Sequence, residues 1–205
     1  MILIVAVIVS TLIALLRGGR LSKLGSLPFR NAWLALAAVA LQYPLVFNLL
    51  GESAILGASL ASLVMLASYA LMIVVLWTNR QLAGIPLVGV GMLLNLLVMV
   101  LNGGWMPISP DALTRLGRMD RVTSFAGVAK VRGAKNVLLT PAETRLWWLS
   151  DIFVIPAPFP VPSAFSVGDI LIAMGVFWLL QAALLGQNTG RPLEAERPAS
   201  SVISK

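Results

Sequence analysis

The sequence predicts an all-α fold, a polytopic membrane bundle of five transmembrane helices with a long external loop that contains short interfacial helices. Three observations predict it. Apolar residues fill 59% of the 205 positions and charged residues only 11%, whereas a soluble domain carries about 25% charged residues to cover its surface. Apolar runs of helical length recur at about 1–16, 32–50, 54–78, 82–101 and 166–186, close to the ~20 residues that cross a ~30 Å hydrocarbon core. Basic residues gather beside alternate ends of these runs. Together they give one transmembrane domain over residues 1–186, with an external loop at 102–165 and a disordered tail at 187–205.

Composition also excludes chemistry. There is no Cys and no His, which removes disulfides, a thiol nucleophile and the usual zinc and haem ligands. No metal and no cofactor is expected, and any reaction must use carboxylates, hydroxyls, amides, Lys or Arg. The net charge of +7 is scattered at helix ends, so the expected partners are membrane lipids with anionic headgroups, alongside a membrane-protein partner, and not nucleic acid.

The first run, Met1 to Leu16, is followed by Arg17, Arg20, Lys23 and Arg30. A signal peptide would place its charge before the apolar run, so this reads as a retained helix about 24 Å long. Gly18 and Gly19 end it. The second run, Ala32 to Leu50, holds Gln42, Tyr43, Pro44 and Asn48 in its outer half; such groups bond to other helices or line a ligand pocket. Ala54 to Thr78 is rich in Ala and Ser, and Leu82 to Leu101 carries Gly84, Gly89 and Gly91, both patterns suited to close helix packing. Asn95 is expected to bond across the bundle to Asn48 or Gln42. Near the ends of the spans that bound the long loop, its only basic residue is Arg115. The loop and N-terminus are therefore placed outside, and the C-terminus in the cytoplasm, of an inner or plasma membrane.

Within the loop, Asn102-Gly103-Gly104 leaves the fourth span and Trp105 reads as an interfacial anchor, with Trp147 and Trp148. Ser109-Pro110-Asp111 is a helix start, and Ala112, Leu113, Leu116 and Met119 share a face suited to lying on the bilayer. Lys130, Arg132 and Lys135 read as solvated or headgroup-facing. Thr140 to Glu143 is a capping box that predicts a second short helix. Four prolines at 156, 158, 160 and 162 forbid a helix, so that strap must be extended across the bundle top.

Asp151 precedes the strap and Asp169 opens the last span. The local reading is that Ser166 and Asp169 form a capping box and Asp151 caps or pairs with Arg145. The chemical reading is that the strap returns the chain so that both carboxylates meet within about 6 Å near Asn102, one keeping its proton, and act as acid and base on a water.

Phe159 to Pro162 followed by Phe165-Ser166-Val167-Gly168-Asp169-Ile170-Leu171-Ile172 resembles the end of the bacterial lipoprotein signal peptidases, membrane aspartyl proteases. That resemblance covers about 35 residues and implies catalytic roles for Asp151 and Asp169. Gly168 stands where that family has Ala, Ser166 where it has Asn, and those enzymes have four spans. Over most of its length the chain is more similar to an uncharacterised family of five-span prokaryotic membrane proteins, through Gly18-Gly19-Arg20, Asn102-Gly103-Gly104 with Met106-Pro107, and Phe165 to Asp169. This second resemblance implies architecture without an activity. Three functions therefore compete: a structural or accessory membrane protein, an aspartyl hydrolase using Asp151 and Asp169, and a small-solute transporter or binder using Gln42, Asn48, Asn95 and Asn102.

Overall fold

The computed structural model describes residues 2–46, 54–55, 58–125, 127–159 and 161–187. Asn48, the turn at 51–53 and the tail from 188 onward lie outside the described residues.

The chain is mostly helical. The long helices are α1 (Ile2–Leu16), α2 (Ala32–Val46), α3 (Leu60–Thr78), α4 (Ile85–Leu101) and α6 (Val167–Leu185), and α5 (Pro110–Arg115) is short. Helices α3 and α6, 19 residues each and so about 28 Å long, are long and apolar enough to cross a membrane, and α1, α2 and α4 are apolar but shorter. The third run starts as helix only at Leu60. Before it, two short strands, β1 (Ala54–Ile55) and β2 (Ala58–Ser59), pair antiparallel.

Helix α6 lies between α1 and α4; α3 packs on α4, and α2 on α3. Glycine makes the α4–α6 seam close. A Cβ on Gly175 would stand 2.6 Å from the Gly84 carbonyl oxygen, and one on Gly168 would run into the Asn95 side chain and lie 2.7 Å from the Gly91 carbonyl oxygen. Gly84 and Gly91 thus pack as their spacing predicts, whereas Gly89 has nothing within 4 Å of its Cβ position. Polar side chains join the other seams. Ser10 donates to the Phe177 carbonyl at 2.8 Å, the Gln181 amide donates back to the Ser10 carbonyl at 2.6 Å, and Gln42 donates to the Ser68 hydroxyl at 2.9 Å. At the opposite end from the 102–165 segment, Lys23 donates to the Leu185 carbonyl at 3.0 Å, a cation set where the exposed carbonyls of α6 concentrate negative charge.

The all-α expectation gives way in the 102–165 segment, which is a small sheet domain. Strands β3 (Met106–Ile108), β4 (Val122–Phe125), β5 (Val128–Val131) and β6 (Asn136–Leu138) form a sheet in the order β3-β6-β5-β4. β3 runs parallel to β6, and the other pairs are antiparallel. Strands this short show too few alternations to display a period of two. Ser109 caps α5, accepting from the Ala112 amide at 3.1 Å. The apolar face of α5, Ala112, Leu113 and Leu116, buries against Ile108 and Val131 of the sheet instead of a bilayer, and Met119 falls beyond the helix.

Further expectations are corrected in the same segment. Thr140 and Glu143 do bond, the Thr140 hydroxyl and amide both donating to one Glu143 oxygen at 2.7 and 3.0 Å, but the chain makes a turn there and not a helix. The proline strap is extended at both ends, where β7 (Phe153–Ile155) and β8 (Ser163–Phe165) pair antiparallel and stack Phe153 on Phe165. Trp105 is no interfacial anchor, being 3% exposed beneath the Lys130 ammonium at 4.2 Å. Lys130 is 0% exposed rather than solvated. A desolvated cation–π contact of this kind is worth about 2 kcal/mol.

The sheet domain docks where α4 ends and α3 and α6 begin. Trp105, Met106, Val137 and Leu149 bury in one cluster with Met65 and Tyr69 of α3 and Val98 and Met99 of α4. This seating carries the polar residues of β6 and its preceding turn down to the helix ends.

Candidate functional site

The site lies at that seam and is assembled from five parts of the chain. Ser166 and Asp169 form the capping box that their spacing predicts: the Ser166 hydroxyl accepts from the Asp169 amide at 3.1 Å, and Asp169 Oδ2 accepts from the Ser166 amide at 3.2 Å. Asn95 of α4 completes a closed triangle, its Nδ2 donating to Asp169 Oδ1 at 2.8 Å while its Oδ1 accepts from the Ser166 hydroxyl at 2.8 Å. Gly168 leaves the space that Asn95 fills. An Ala there, as in the signal peptidases, would strike the amide.

Lys135 comes from the turn between β5 and β6. Its ammonium stands 3.9 Å from Asp169 Oδ1 and donates to the Tyr69 hydroxyl at 3.4 Å. Burial alone would pull its pKa down; the Tyr69 phenol and the Asp169 and Asp151 carboxylates outweigh that, and the pKa is raised. Lys135 therefore stays charged.

Asp151 approaches from the other side. Its amide donates to the Pro107 carbonyl at 3.2 Å, and Asn136 Nδ2 donates to its Oδ2 at 2.7 Å. The residue is 3% exposed, and among the described residues its Oδ1 has no partner. Burial pushes its pKa up and the Asp169 charge adds to that, while Lys135 and the Asn136 bond oppose them; the result is about 6. An orphaned oxygen on a buried carboxylate costs its full desolvation, and holding a proton is one way to lower that cost.

The two acids do not bond to each other: Lys135 pairs with Asp169, and its charge also acts on Asp151. Asn102 is elsewhere, its Nδ2 donating to the Val98 and Arg145 carbonyls at 2.8 and 3.0 Å and its Oδ1 accepting from the Arg145 amide at 3.0 Å. It pins a loop to the end of α4. Asn95 bonds to Asp169 and Ser166 and not to Gln42, which bonds to Ser68; Asn48 lies outside the described residues. Among the described residues no group of three or more carboxylates is placed to hold a metal ion.

A family described as a family of unknown function, DUF5317, matches residues 26–181. The chain belongs to this family. No curated protein and no solved structure matches it. The DUF5317 match takes in every member of the site, from Tyr69 to Asp169, and leaves out α1.

Sequence reasoning missed Tyr69, Lys135 and Asn136. A signal for the last two was present: Val128 to Val131 and Asn136 to Leu139 are β-prone runs on either side of Arg132-Gly133-Ala134-Lys135, the pattern of a hairpin. Gly133 takes φ +78° in that turn. Tyr69 offered none, since a Tyr inside an apolar run looks like any core aromatic.

Proposed function

We propose that this DUF5317 member is a multi-pass membrane protein of structural or accessory type, in which five helices span the membrane and the sheet domain is held on the outer face by Lys135. One observation carries the functional half: the Lys135 ammonium of the sheet domain stands 3.9 Å from Asp169 on α6 and donates to Tyr69 on α3. A pair of acids that share one proton through mutual repulsion works without a cation beside either of them, whereas a cation that reaches from the sheet domain to groups on two helices fastens the domain to them. The spanning half is supported by the apolar surface that the helices leave uncovered, including Leu36 at 72% and Trp77 at 67% exposure, far beyond the patches of a soluble monomer. The basic residues Arg17, Arg20, Lys23, Arg30 and Arg80 all belong to the end away from the sheet domain, which favours that end as cytoplasmic. Cysteine labelling tests the arrangement in this Cys-free chain: Ser124→Cys should react in intact cells and Ser200→Cys should not. The reverse pattern would defeat it.

A second reading, a membrane aspartyl hydrolase, is favoured by the raised pKa and orphaned oxygen of Asp151. In it Asp151 holds the proton and Asp169 is the base. Purified protein would then cleave a membrane-inserted lipopeptide, and Asp169→Asn, which keeps a capping oxygen, would abolish cleavage. Absence of cleavage by the unaltered protein leaves the structural reading. The transporter reading has less support, because Gln42, Asn95 and Asn102 are engaged within the chain.

A further inference from the structure

A groove of about 530 Å³ runs between α3 and α4 on the side away from the sheet domain, bordered by Ile73, Trp77, Ile85, Gly89 and Leu93, with Arg80 at its mouth. Its size is that of a small-molecule site. We propose that it binds one anionic phospholipid, an acyl chain lying over Gly89 and the phosphate at Arg80; this rests on the membrane reading above.

Gly89 is the first argument. Glycine weakens a helix interior, and elsewhere along α4 and its N-cap it has a reason, because α6 crowds Gly91 and Gly84 combines close contact with φ +82°. Gly89 has neither. Among the described residues a Cβ there would meet nothing within 4 Å, and leaving it out keeps the groove deep. From Ile85 to Leu93 the groove follows α4 for about 12 Å, within the depth of one leaflet of a ~30 Å core.

Arg80 is the second. Its guanidinium stands 4.6 Å over the Trp77 ring and donates one bond, to the Trp77 carbonyl at 3.0 Å. Among the described residues no carboxylate pairs with it. An Arg fork held on an aromatic with donors to spare suits a phosphate. Arg17, Arg20, Lys23 and Arg30 belong to the same end of the bundle, and they add attraction for an anionic headgroup. They also oppose a second copy in a two-fold contact at this groove, since that would bring Arg80 against Arg80.

The test is native mass spectrometry of detergent-purified protein titrated with phosphatidylglycerol or phosphatidylcholine. The unaltered protein should retain one phosphatidylglycerol with at least about five-fold preference. Arg80→Gln should remove the preference and keep weak binding of both lipids. Gly89→Leu should lose both while melting normally, because its side chain meets open space. Equal retention of the two lipids by the unaltered protein, or full retention by Gly89→Leu, overturns the proposal. So does a concentration-dependent dimer without lipid that Gly89→Leu disperses, which would give the groove to a helix of a second chain. Failure to sediment with liposomes would defeat the membrane reading, whereas sedimentation without lipid preference defeats this proposal alone.

Discussion

Replacing Asp151 by Asn should remove a pH dependence of stability whose sign is unusual for a carboxylate. A carboxylate held below its ordinary pKa stabilises the fold at neutral pH and loses that contribution in acid; Asp151 is displaced the other way, from 3.8 to about 6. Well below pH 3.8 it is protonated in both the folded and unfolded chain and contributes no pH dependence. Between about pH 4 and 6 the unfolded chain gives up the proton first, so the folded state binds more protons and stability falls as pH rises. Above pH 6 the loss is complete. A displacement of about two units corresponds to roughly 3 kcal/mol, or about 6–12 °C in melting temperature for a chain of this size.

The amide introduced by Asp151→Asn cannot titrate, so the stability of this variant relative to the unaltered protein should rise by that amount from pH 4 to 7, whatever constant offset the amide introduces at the orphaned oxygen. The absence of His keeps this window free of imidazole titration. Glu143, fully exposed, has a lowered pKa from its two Thr140 bonds, and its opposite contribution cancels in the comparison. The assay is denaturant or thermal unfolding of detergent-solubilised protein at several pH values, followed by the fluorescence of buried Trp105. If the unaltered protein gains stability from pH 4 to 7 and Asp151→Asn follows it in parallel, Asp151 is ionised and satisfied throughout, and the account of the site is wrong.

Lys135→Met removes the cation paired with Asp169, a loss of about 3 kcal/mol, and should push the Asp151 titration to higher pH; limited proteolysis of the sheet domain and the same pH series read both effects. Gly168→Ala drives a methyl into Asn95 and the Gly91 carbonyl and should cost about 1–3 kcal/mol as overpacking, with a lowered melting temperature as the measure; an unchanged one would mean that the α4–α6 seam is looser than described. Trp147 and Trp148, both about half exposed, should be quenched by bromolipids, and Trp105, sealed under Lys130, should resist both lipid and aqueous quenchers in a variant whose other Trp residues are replaced by Phe.

What the sequence disclosed and what it hid divide along the range of the interactions. The caps at Ser109 and Ser166 are contacts over three residues, and spacing alone reveals them. Five apolar runs stand out because helical length and hydropathy are local properties as well. The sheet was illegible because β3 pairs with β6 across thirty residues, Met106 with Asn136, and neither strand carries enough alternation to be noticed. The same distance explains the site: Asp169 could be singled out from its own capping box, but its partners Asn95 and Lys135 arrive from elements set beside it only by the fold. Thr140 shows the converse, a local motif whose side chains meet as the pattern implies although no helix follows. Lys130 and Lys135 misled because a Lys in a polar loop ordinarily faces water, and burial over Trp105 or pairing with Asp169 is a tertiary fact.

The placement of α6 between α1 and α4 also bears on how the molecule comes into being. A ribosome delivers α1 first and α6 some 150 residues later, at about 5–20 residues per second; for that whole interval α1 lacks its main neighbour, and the glycine seam of α4 faces nothing. The core cannot close in the order of synthesis. Early helices must wait side by side until a late one wedges among them, carrying Asp169 to Asn95 and Gln181 to Ser10 in a single motion. A stalled or shortened product that lacks α6 would therefore be more than a protein missing one helix. It would be a pair of unjoined fragments, α1 on one side and α2 to α4 on the other, with their polar seams open to whatever quality-control machinery surveys nascent chains.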